Sequence, residues 1–381
     1  MRIEFNNDNV KSASNHVNFL IKDNNEEFNL FIKSNDHNLK LSGESFCALL
    51  LIPSLITNKN ININLEVSEI FIKNINSVIQ NIFCYWSKDV SNKTWFNSKK
   101  LSKIIISGKS KKNDYRTKKR VGCFFSGGVD SFYSLLENDN ITDIIFVHGF
   151  DTKLDDYTLR KNISINLKEI TAIQKVNLIE VETNIRYFLD FYSNWEITHG
   201  SALAFISHCF SHLFDEIILS SSYSYDHKSL LPWGSHPLID NYWSTENFRI
   251  NHYGADVERF EKLKFISNFD VCMKFLRVCY VNYESAYNCG FCEKCLRTKL
   301  GLHTLGVLDK YESFDNNFSI NKFLLLKIYK KHHLYFIQDN INAILGRKKN
   351  IYNLIILYIV LIKSNLEINR KKISKFMRGI K

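Results

Sequence analysis

The sequence lacks a signal-peptide core and an apolar run long enough to cross a membrane. Its first five residues, Met1–Phe5, contain no apolar core region. Its longest apolar stretch, Ile351–Ile362, is interrupted by Asn353 and is far shorter than the roughly 20 residues of a spanning helix. We therefore expect a cytoplasmic protein with no membrane segment, in which Ile351–Ile362 is a buried helix.

Arginine-rich tracts and RNA-binding motifs are also missing, although the chain is basic. The 381 residues carry a formal net charge of +11, spread over short lysine and arginine runs. A basic balance suits a polyanionic partner such as ATP or tRNA, and lysines on solvated faces explain it as well. Charge alone therefore leaves the partner open. A hydrophobic fraction of 45% excludes wholesale disorder.

Two changes in pattern divide the chain into three predicted parts. Residues 1–112 contain short apolar or alternating runs between Asn, Asp and Lys turns, which is typical of a small strand-rich domain. Residues 115–310 alternate short apolar strands with helical segments, and residues 311–381 have the pattern of a lysine-rich helical region. The polar segment Ser107–Asp114 is the expected linker between the first two parts.

The alternation in the second part predicts the fold. Strands are expected at Val121–Phe125, Ile144–His148, Leu178–Glu182 and Glu216–Ser220, and helices at Ser131–Glu137, Arg160–Val176 and Ser201–Phe214. Strand–helix–strand repeats place their strands in parallel, so we expect an α/β fold with a doubly wound parallel sheet. In the first part, Ser68 is expected to cap a helix over Ile70–Trp86.

A glycine-rich loop follows the first of these strands and opens a helix. It consists of Ser126, Gly127, Gly128, Val129, Asp130 and Ser131. Ligands bind at this end of parallel strands, and the glycines let the backbone approach a phosphate that the helix dipole attracts. Asp130 is suited to hold a Mg²⁺ ion that neutralises the phosphates. The loop is not a Walker A loop, because it has no Gly-Lys-Ser/Thr.

This loop resembles the Ser-Gly-Gly-x-Asp-Ser signature of the PP-loop ATP pyrophosphatases at all six positions. The resemblance implies an adenine nucleotide α-hydrolase-like fold and the cleavage of ATP to AMP and pyrophosphate. It also implies that Phe146 and Val147, in the second strand, flank the adenine. Asp226 follows the fourth strand and is expected to contact the substrate or a metal; a simple turn aspartate is the alternative.

Four of the nine cysteines form a cluster with the spacing C-x9-C-x2-C-x2-C. They are Cys279, Cys289, Cys292 and Cys295. Two-residue gaps let thiolates converge on one tetrahedral ion, and Gly290 eases the turn between them. Four thiolates leave no position for water, so a zinc ion here is expected to be structural; an iron–sulfur cluster has similar ligand needs. The other five cysteines are expected to be ordinary buried residues.

The loop and the cysteine cluster together resemble the 7-cyano-7-deazaguanine synthases of the queuosine pathway, over about residues 121–310. The segment Cys279–Arg297 carries a pattern similar to that family's zinc motif. The resemblance implies ATP, Mg²⁺ and zinc as cofactors and a small-molecule carboxylate as substrate, which ATP activates as an acyl-adenylate. Ammonia then gives an amide, and a second activation gives the nitrile.

The chain departs from this family in its substrate-binding parts. Residues 1–112 have no counterpart, and Leu231–Pro237 stands where a Gly-Tyr-Pro-Asp-type loop is expected. The family's Thr-Lys pair is missing; its nearest equivalent is Glu258–Lys262, where Arg259 and Lys262 are expected to clamp the α-phosphate. We therefore expect a diverged enzyme whose carboxylate need not be the deazaguanine.

The source of nitrogen and the partners follow from further absences. No cysteine at position 2 and no Gly-x-Cys-x-Gly elbow supplies a glutaminase nucleophile, so free ammonia or an amine is expected. Residues 1–112 suit docking of a protein partner, by analogy with relatives in antiphage systems, and a homodimer is left open. The aromatic stretch Asn194–Asp256 either stacks on a flat ring or covers the core.

Two other functions remain as alternatives: a PP-loop tRNA-modifying thiolase and a nucleotide-binding subunit of a larger assembly.

Overall fold

A computed structural model describes most of the chain. The described residues are 2–5, 14–88, 96, 99–110, 120–225, 231–315, 318–326, 328, 331–346 and 351–378. Contacts divide the chain into two compact units. The first unit comprises Met1–Ser126, Glu137–Ser221 and His227–Ala255, and the second comprises Gly127–Leu136, Ser222–Asp226 and Asp256–Lys381.

The described residues contain ten strands. They are β1 (Arg2–Phe5), β2 (His16–Asp23), β3 (Glu26–Ser34), β4 (Ile61–Val67), β5 (Ile106–Ser110), β6 (Val121–Phe124), β7 (Asp143–His148), β8 (Asn177–Thr183), β9 (Glu216–Ser220) and β10 (Arg249–Tyr253). Eight of them form one sheet in the order β1-β2-β3-β8-β7-β6-β9-β10, and β4 pairs with β5 in a second sheet.

The strands β6 to β10 are all parallel, and this confirms the α/β class predicted from the sequence. Numbered along the chain from β6, their order across the sheet is 3-2-1-4-5, so the order reverses at β6. Every residue of β7 is buried, because both faces of a parallel sheet are covered. The glycine-rich loop leaves β6, the strand at which the order reverses.

The described residues also contain twelve α-helices. In the first half these are α1 (Gly43–Thr57), α2 (Glu69–Asn74), α3 (Gln80–Lys88), α4 (Val129–Glu137), α5 (Tyr157–Gln174), α6 (Ile185–Tyr192) and α7 (Trp195–Cys209). In the second half they are α8 (Arg259–Ile266), α9 (Asp270–Phe275), α10 (Glu293–Leu305), α11 (Lys331–Gly346) and α12 (Ile351–Arg378). The helical C-terminal region predicted from the sequence is confirmed.

The N-terminal residues extend the sheet of the first unit. β3 pairs antiparallel with β8, in a register that places Ile32 opposite Thr183. Helix α1 is buried over 14 of its 15 residues and packs against α6 and α7. One apolar cluster therefore runs from Val17 in β2 to Ile250 in β10. The described residues of β2 to β5 and α1 to α3 thus share a core with the sheet, whereas the sequence suggested a separate domain over residues 1–112.

Several local predictions can be compared with these elements. The hydroxyl of Ser68 accepts a hydrogen bond of 3.0 Å from the N–H of Phe71, so the predicted helix cap is confirmed. The predicted linker Ser107–Asp114 is wrong over its first half, because Ile106–Ser110 is strand β5. Its polar residues are exposed there, and Gly108 lets the chain approach Val67 closely. Residues 111–119 lie outside the described part.

The second unit has its own apolar cluster, built from α10, α11 and α12. Helix α12 is longer than the apolar stretch seen in the sequence. Its segment Ile351–Arg370 is 20 residues long with a mean hydropathy of 1.6, and is by length and composition apolar enough to cross a membrane. Only a third of that window is buried, so the expectation of a buried helix is wrong.

Candidate functional site

The glycine-rich loop is held in shape by backbone hydrogen bonds of the second unit. Gly127 has a φ of +76°, and its C=O accepts a hydrogen bond of 2.8 Å from the N–H of Arg277. A Cβ at Gly127 would lie 3.3 Å from the Cβ of Arg277, so conformation and space both favour glycine there. The C=O of Gly128 accepts bonds from the N–H of Phe132 at 2.9 Å and the hydroxyl of Ser131 at 3.1 Å.

The remaining loop residues divide into exposed and buried ones. Ser126 is exposed at the start of the loop that follows β6. Val129 and Ser131 are buried and fix the first turn of α4. The N–H groups at the start of this helix have no intrahelical acceptor, which is the property that makes a helix N-terminus bind anions.

Asp130 is brought together with both cations that the sequence predicted as a phosphate clamp. Its Oδ2 lies 2.5 Å from Nη1 of Arg259, and its Oδ1 lies 3.9 Å from Nζ of Lys262. Burial opposes ionisation of Asp130, but the charges of Arg259 and Lys262 outweigh it, so the pKa of this carboxyl lies below its ordinary value. Asp130 is therefore ionised and neutralises part of this cationic cluster.

Lys262 is almost completely buried on α8. Burial lowers the pKa of its ammonium group, the charge of Asp130 opposes that shift, and Arg259 adds to it. Its Nζ also lies 5.6 Å from the centre of the Tyr133 ring, which suits a cation–π contact. A buried lysine and a nearly buried arginine on one helix form a cationic patch, and Asp130 is the carboxylate that pairs with both.

A small cavity lies beside this patch, and sequence reasoning missed most of its polar residues. It has room for about one or two water-sized molecules. Its lining includes Arg259, Arg297, Thr298, Phe336, Asp339 and Asn340. Nη2 of Arg259, Nη1 of Arg297 and Oδ1 of Asn340 are buried without a hydrogen-bond partner among the described residues. Buried polar groups without a partner are rare in folded proteins, and a bound water, an ion or a polar ligand would satisfy these three.

Both guanidinium groups of this cavity lie near one aromatic ring. The Arg297 guanidinium carbon lies 3.6 Å from the centre of the Phe336 ring, and that of Arg259 lies 5.7 Å from it. Tyr223 stacks on the same ring with centres 5.4 Å apart. Phe336 belongs to α11, beyond the segment that resembles a known family, so no family motif pointed to it.

Two carboxyl groups meet next to these cations. Asp339 on α11 is hydrogen-bonded to Glu258, which also accepts a 3.1 Å bond from the hydroxyl of Ser224. Burial and the charge of Glu258 raise the pKa of Asp339 to about 7, against the opposing charges of Arg297 and Arg259. Asp339 therefore keeps a proton that can leave near neutral pH.

The four predicted cysteine ligands do converge. Their sulfur atoms all lie within 4.8 Å of one another, and Sγ of Cys289 lies 4.0 Å from Sγ of Cys295. A tetrahedral zinc site with Zn–S bonds of about 2.3 Å needs sulfurs about 3.8 Å apart, so a small contraction suffices. Hydrogen bonds from Cys292 and Cys295 lower the pKa of Cys279, and its thiolate in turn raises the pKa of Cys292 to about 12.

The backbone around these cysteines is suited to metal binding. Gly290 has a φ of +75°, and a Cβ there would lie 2.8 Å from Oδ2 of Asp315. N–H groups of Asn282 and Cys292 donate to the sulfurs of Cys279 and Cys289 at 3.3 and 3.4 Å. Such N–H···S bonds stabilise thiolates in metal sites. The other five cysteines are buried, as predicted.

Comparison of the chain with protein-family models, with curated proteins and with solved structures finds no match. Function is therefore inferred from three groups of residues: the glycine-rich loop, the cluster of Asp130 with Arg259 and Lys262, and the four thiols. All three groups lie in the second unit, apart from Ser126.

The predicted adenine-flanking residues lie in the first unit. Phe146 and Val147 are buried in β7, and His148 binds Glu180 through a 3.0 Å contact, which gives that histidine a structural role. Because both apolar side chains are covered by protein, their role beside an adenine stays a prediction. Asp226 lies outside the described residues.

The aromatic stretch of the first unit serves mainly as covering structure. Trp243 and His236 are buried, and Asp240 binds the ring of His252 at 2.7 Å. Around Trp195, by contrast, half-buried aromatic rings remain accessible: Phe150 lies 4.7 Å from it, and so does the guanidinium of Arg186. The covering interpretation therefore holds for the C-terminal half of the stretch.

Proposed function

We propose that the chain uses ATP to adenylate a small-molecule carboxylate and then joins the acyl group to ammonia or an amine, as 7-cyano-7-deazaguanine synthases do. The observation that carries this proposal is the meeting of Asp130, from the signature loop, with Arg259 and Lys262, from a helix more than a hundred residues away. The strand order reverses at β6, the strand that leads into this loop, and ligands of open α/β sheets bind at such a point. The strand order therefore supports a doubly wound, adenine nucleotide α-hydrolase-like fold.

The chemistry proceeds by two displacements. A carboxylate oxygen of the substrate attacks the α-phosphorus of ATP, and the bond to the bridging oxygen breaks with release of pyrophosphate. The cations of Arg259 and Lys262 stabilise the negative charge that develops on the α-phosphate oxygens. Ammonia then attacks the acyl carbon, AMP leaves, and the nitrogen loses a proton. The amide oxygen then attacks the α-phosphorus of a second ATP with release of pyrophosphate, and loss of AMP and of both nitrogen-bound protons gives the nitrile.

The residues also fit the two metal ions that this chemistry implies. Oδ1 of Asp130 has no hydrogen-bond partner among the described residues, and carboxylate oxygens are the ligands Mg²⁺ prefers. A bound Mg²⁺ would neutralise phosphate charge. The four thiols around Cys292 match the donor set of a closed zinc site, which would supply structure and no reactive position.

Nucleotide products test this proposal. Protein, ATP, Mg²⁺ and ammonium are incubated with and without 7-carboxy-7-deazaguanine, and AMP and ADP are separated by chromatography. We expect AMP. AMP that depends on the deazaguanine identifies the substrate, AMP without it directs the search to another carboxylate, and ADP would refute adenylation.

Two matched arginine variants locate the reaction. Arg259→Ala removes a cation from the developing charge and should lower AMP formation at least about a hundredfold. Arg249→Ala, on exposed Arg249 in β10, should leave the rate unchanged.

Asp130→Asn should abolish AMP formation while circular dichroism still reports a folded chain; retained turnover would disprove the assignment of the loop.

A further inference from the structure

Helix α12 has two apolar faces, and only one of them is covered. The covered face packs on the second unit and includes Ile356, Leu357, Val360 and Ile368. The opposite face, which we call the exposed stripe, consists of Ile351, Ile355, Ile359, Ile362 and Leu366. Helices that are apolar all round are normally enclosed on every side, and no part of the described chain covers the exposed stripe.

The exposed stripe is continuous along the helix. Its members recur every three or four residues, which places them in one row, and each has between 45% and 76% of its surface exposed. Tyr352 and Tyr358 lie along the same row and are also exposed. Because the covered face lies behind the stripe, α12 is arranged to lie flat on another surface and not to pass through it.

The charge around the stripe limits what can cover it. From Arg347 to Lys381 the sequence has ten Lys and Arg residues and a single acid, Glu367, a net charge of +9 out of the +11 of the whole chain. Lys363 and Arg370 are exposed on α12 itself. Like charges of this density oppose the pairing of two copies along α12. The covering surface must therefore be anionic.

We propose that α12 docks the protein on an anionic lipid bilayer, with the exposed stripe among the outer acyl chains and the basic residues at the phosphate headgroups. A basic amphipathic helix with tyrosines beside its apolar face is typical of such binding. Nucleic acid would use the basic residues and leave the isoleucines unburied. The proposal revises the expectation of no membrane contact, which rested on the short length of Ile351–Ile362.

Vesicle sedimentation tests this inference on the full chain. Phosphatidylcholine vesicles are compared with vesicles in which about one lipid in three is phosphatidylglycerol. We expect binding to the anionic vesicles that weakens with salt, and little binding to the neutral ones. Ile355→Glu with Ile362→Glu should lower the partition coefficient at least about tenfold. No binding of the unaltered protein at low salt would overturn the proposal.

Matched variants separate the stripe from general effects. Ile165→Glu with Ile173→Glu changes two exposed isoleucines of α5 and should leave vesicle binding intact. Lys363→Glu with Arg370→Glu should reduce binding to anionic vesicles alone. Circular dichroism and thermal unfolding verify that each variant is folded. Equal binding by the stripe variant, or a dimer that the stripe variant dissociates without any vesicle binding, would refute the membrane as occupant.

Discussion

Six charged side chains of the second unit lie close together. Arg259, Lys262 and Arg297 face the carboxyl groups of Asp130, Asp339 and Glu258. Removing one member of such a group leaves the charge of its partner uncompensated in a poorly hydrated environment, which lowers the free energy of unfolding more than the loss of a surface ion pair does. The protonation state of such a group therefore depends on the neighbouring charges, and Asp339 is the clearest case.

Asp339 makes the stability of the chain depend on pH. The folded protein keeps the Asp339 proton up to about pH 7, whereas an unfolded chain releases it near the ordinary value of 3.8. Between these values the unfolded chain binds fewer protons, so stability falls as pH rises. Asp339→Asn has no such proton to lose. From about pH 4 to about pH 7, its free energy of unfolding should therefore rise relative to that of the unaltered protein by a few kcal/mol, on the order of one per pH unit.

Urea unfolding at several pH values measures this difference. Asp309→Asn, at an exposed aspartate outside the cavity, serves as the control and should follow the unaltered protein at every pH. Parallel profiles for Asp339→Asn and the unaltered protein would show that Asp339 is ionised in the folded state like any surface carboxyl.

Among the elements, those with a clear local pattern were predicted and those without one were missed. Strands β6 to β9 are apolar runs bounded by turns, and the loop Ser126–Ser131 carries its own signature. Helix α1 is buried on all sides, so its sequence has no polar face to reveal a helical period. Strand β10 has the sequence Arg-Ile-Asn-His-Tyr, and because its polar residues interrupt any apolar run, the sequence did not predict it. Asp339 and Phe336 have no motif; they reach the cavity only because α11 folds back on α8 and α10.

The thiol cluster fixes the start of α10. The sulfur of Cys292 caps this helix by accepting a 3.5 Å bond from the N–H of Cys295, and Arg297 follows one turn later. Cys279→Ser should therefore lose bound zinc and lower the thermal midpoint by several degrees, with a further loss of AMP formation. Zinc content by elemental analysis, about one ion per chain, is the measurement.

Cys272→Ser is the matched control for this experiment. Cys272 is buried but lies outside the cluster, so this variant should keep its zinc. Equal metal content in both variants would contradict the assignment of Cys279. Iron and visible absorption in the purified protein would favour an iron–sulfur cluster over zinc.

Helix α7 depends on one glycine for its packing in the first unit. A Cβ at Gly200 would lie 1.9 Å from the carbonyl oxygen of Gly234, a backbone atom that cannot move aside. Gly200→Ala should therefore destabilise the chain by about 3 kcal/mol or more. Gly346→Ala, where a Cβ meets no atom within 4 Å, should change stability by less than about 1 kcal/mol. Chemical denaturation of both variants decides; a small effect at Gly200 would contradict this close approach.

The described N-terminal elements β2, β3 and α1 are part of the core of the first unit. No local pattern reveals that β3 pairs with β8, because this contact joins residues about 150 positions apart. A fragment containing residues 115–381 loses the partner of β8 and the helix on which α6 and α7 pack. We expect it to be insoluble or to unfold without cooperativity, as judged by calorimetry beside the full chain. A soluble, cooperative fragment would restore the separate domain that the sequence suggested.

The ion pair of Asp130 with Arg259 and Lys262 also bears on selectivity between forms of the nucleotide. The cations of Arg259 and Lys262 carry their own counterion, Asp130, which is tethered to the loop and which a substrate cannot expel into solvent. A bare triphosphate would meet this carboxylate as a like charge, whereas a metal-bound one would bring a cation that satisfies it. We expect magnesium pyrophosphate to inhibit AMP formation strongly, and pyrophosphate from which a chelator has removed the metal to inhibit it weakly. Release of the pyrophosphate product would then be linked to release of the Mg²⁺ bound to it.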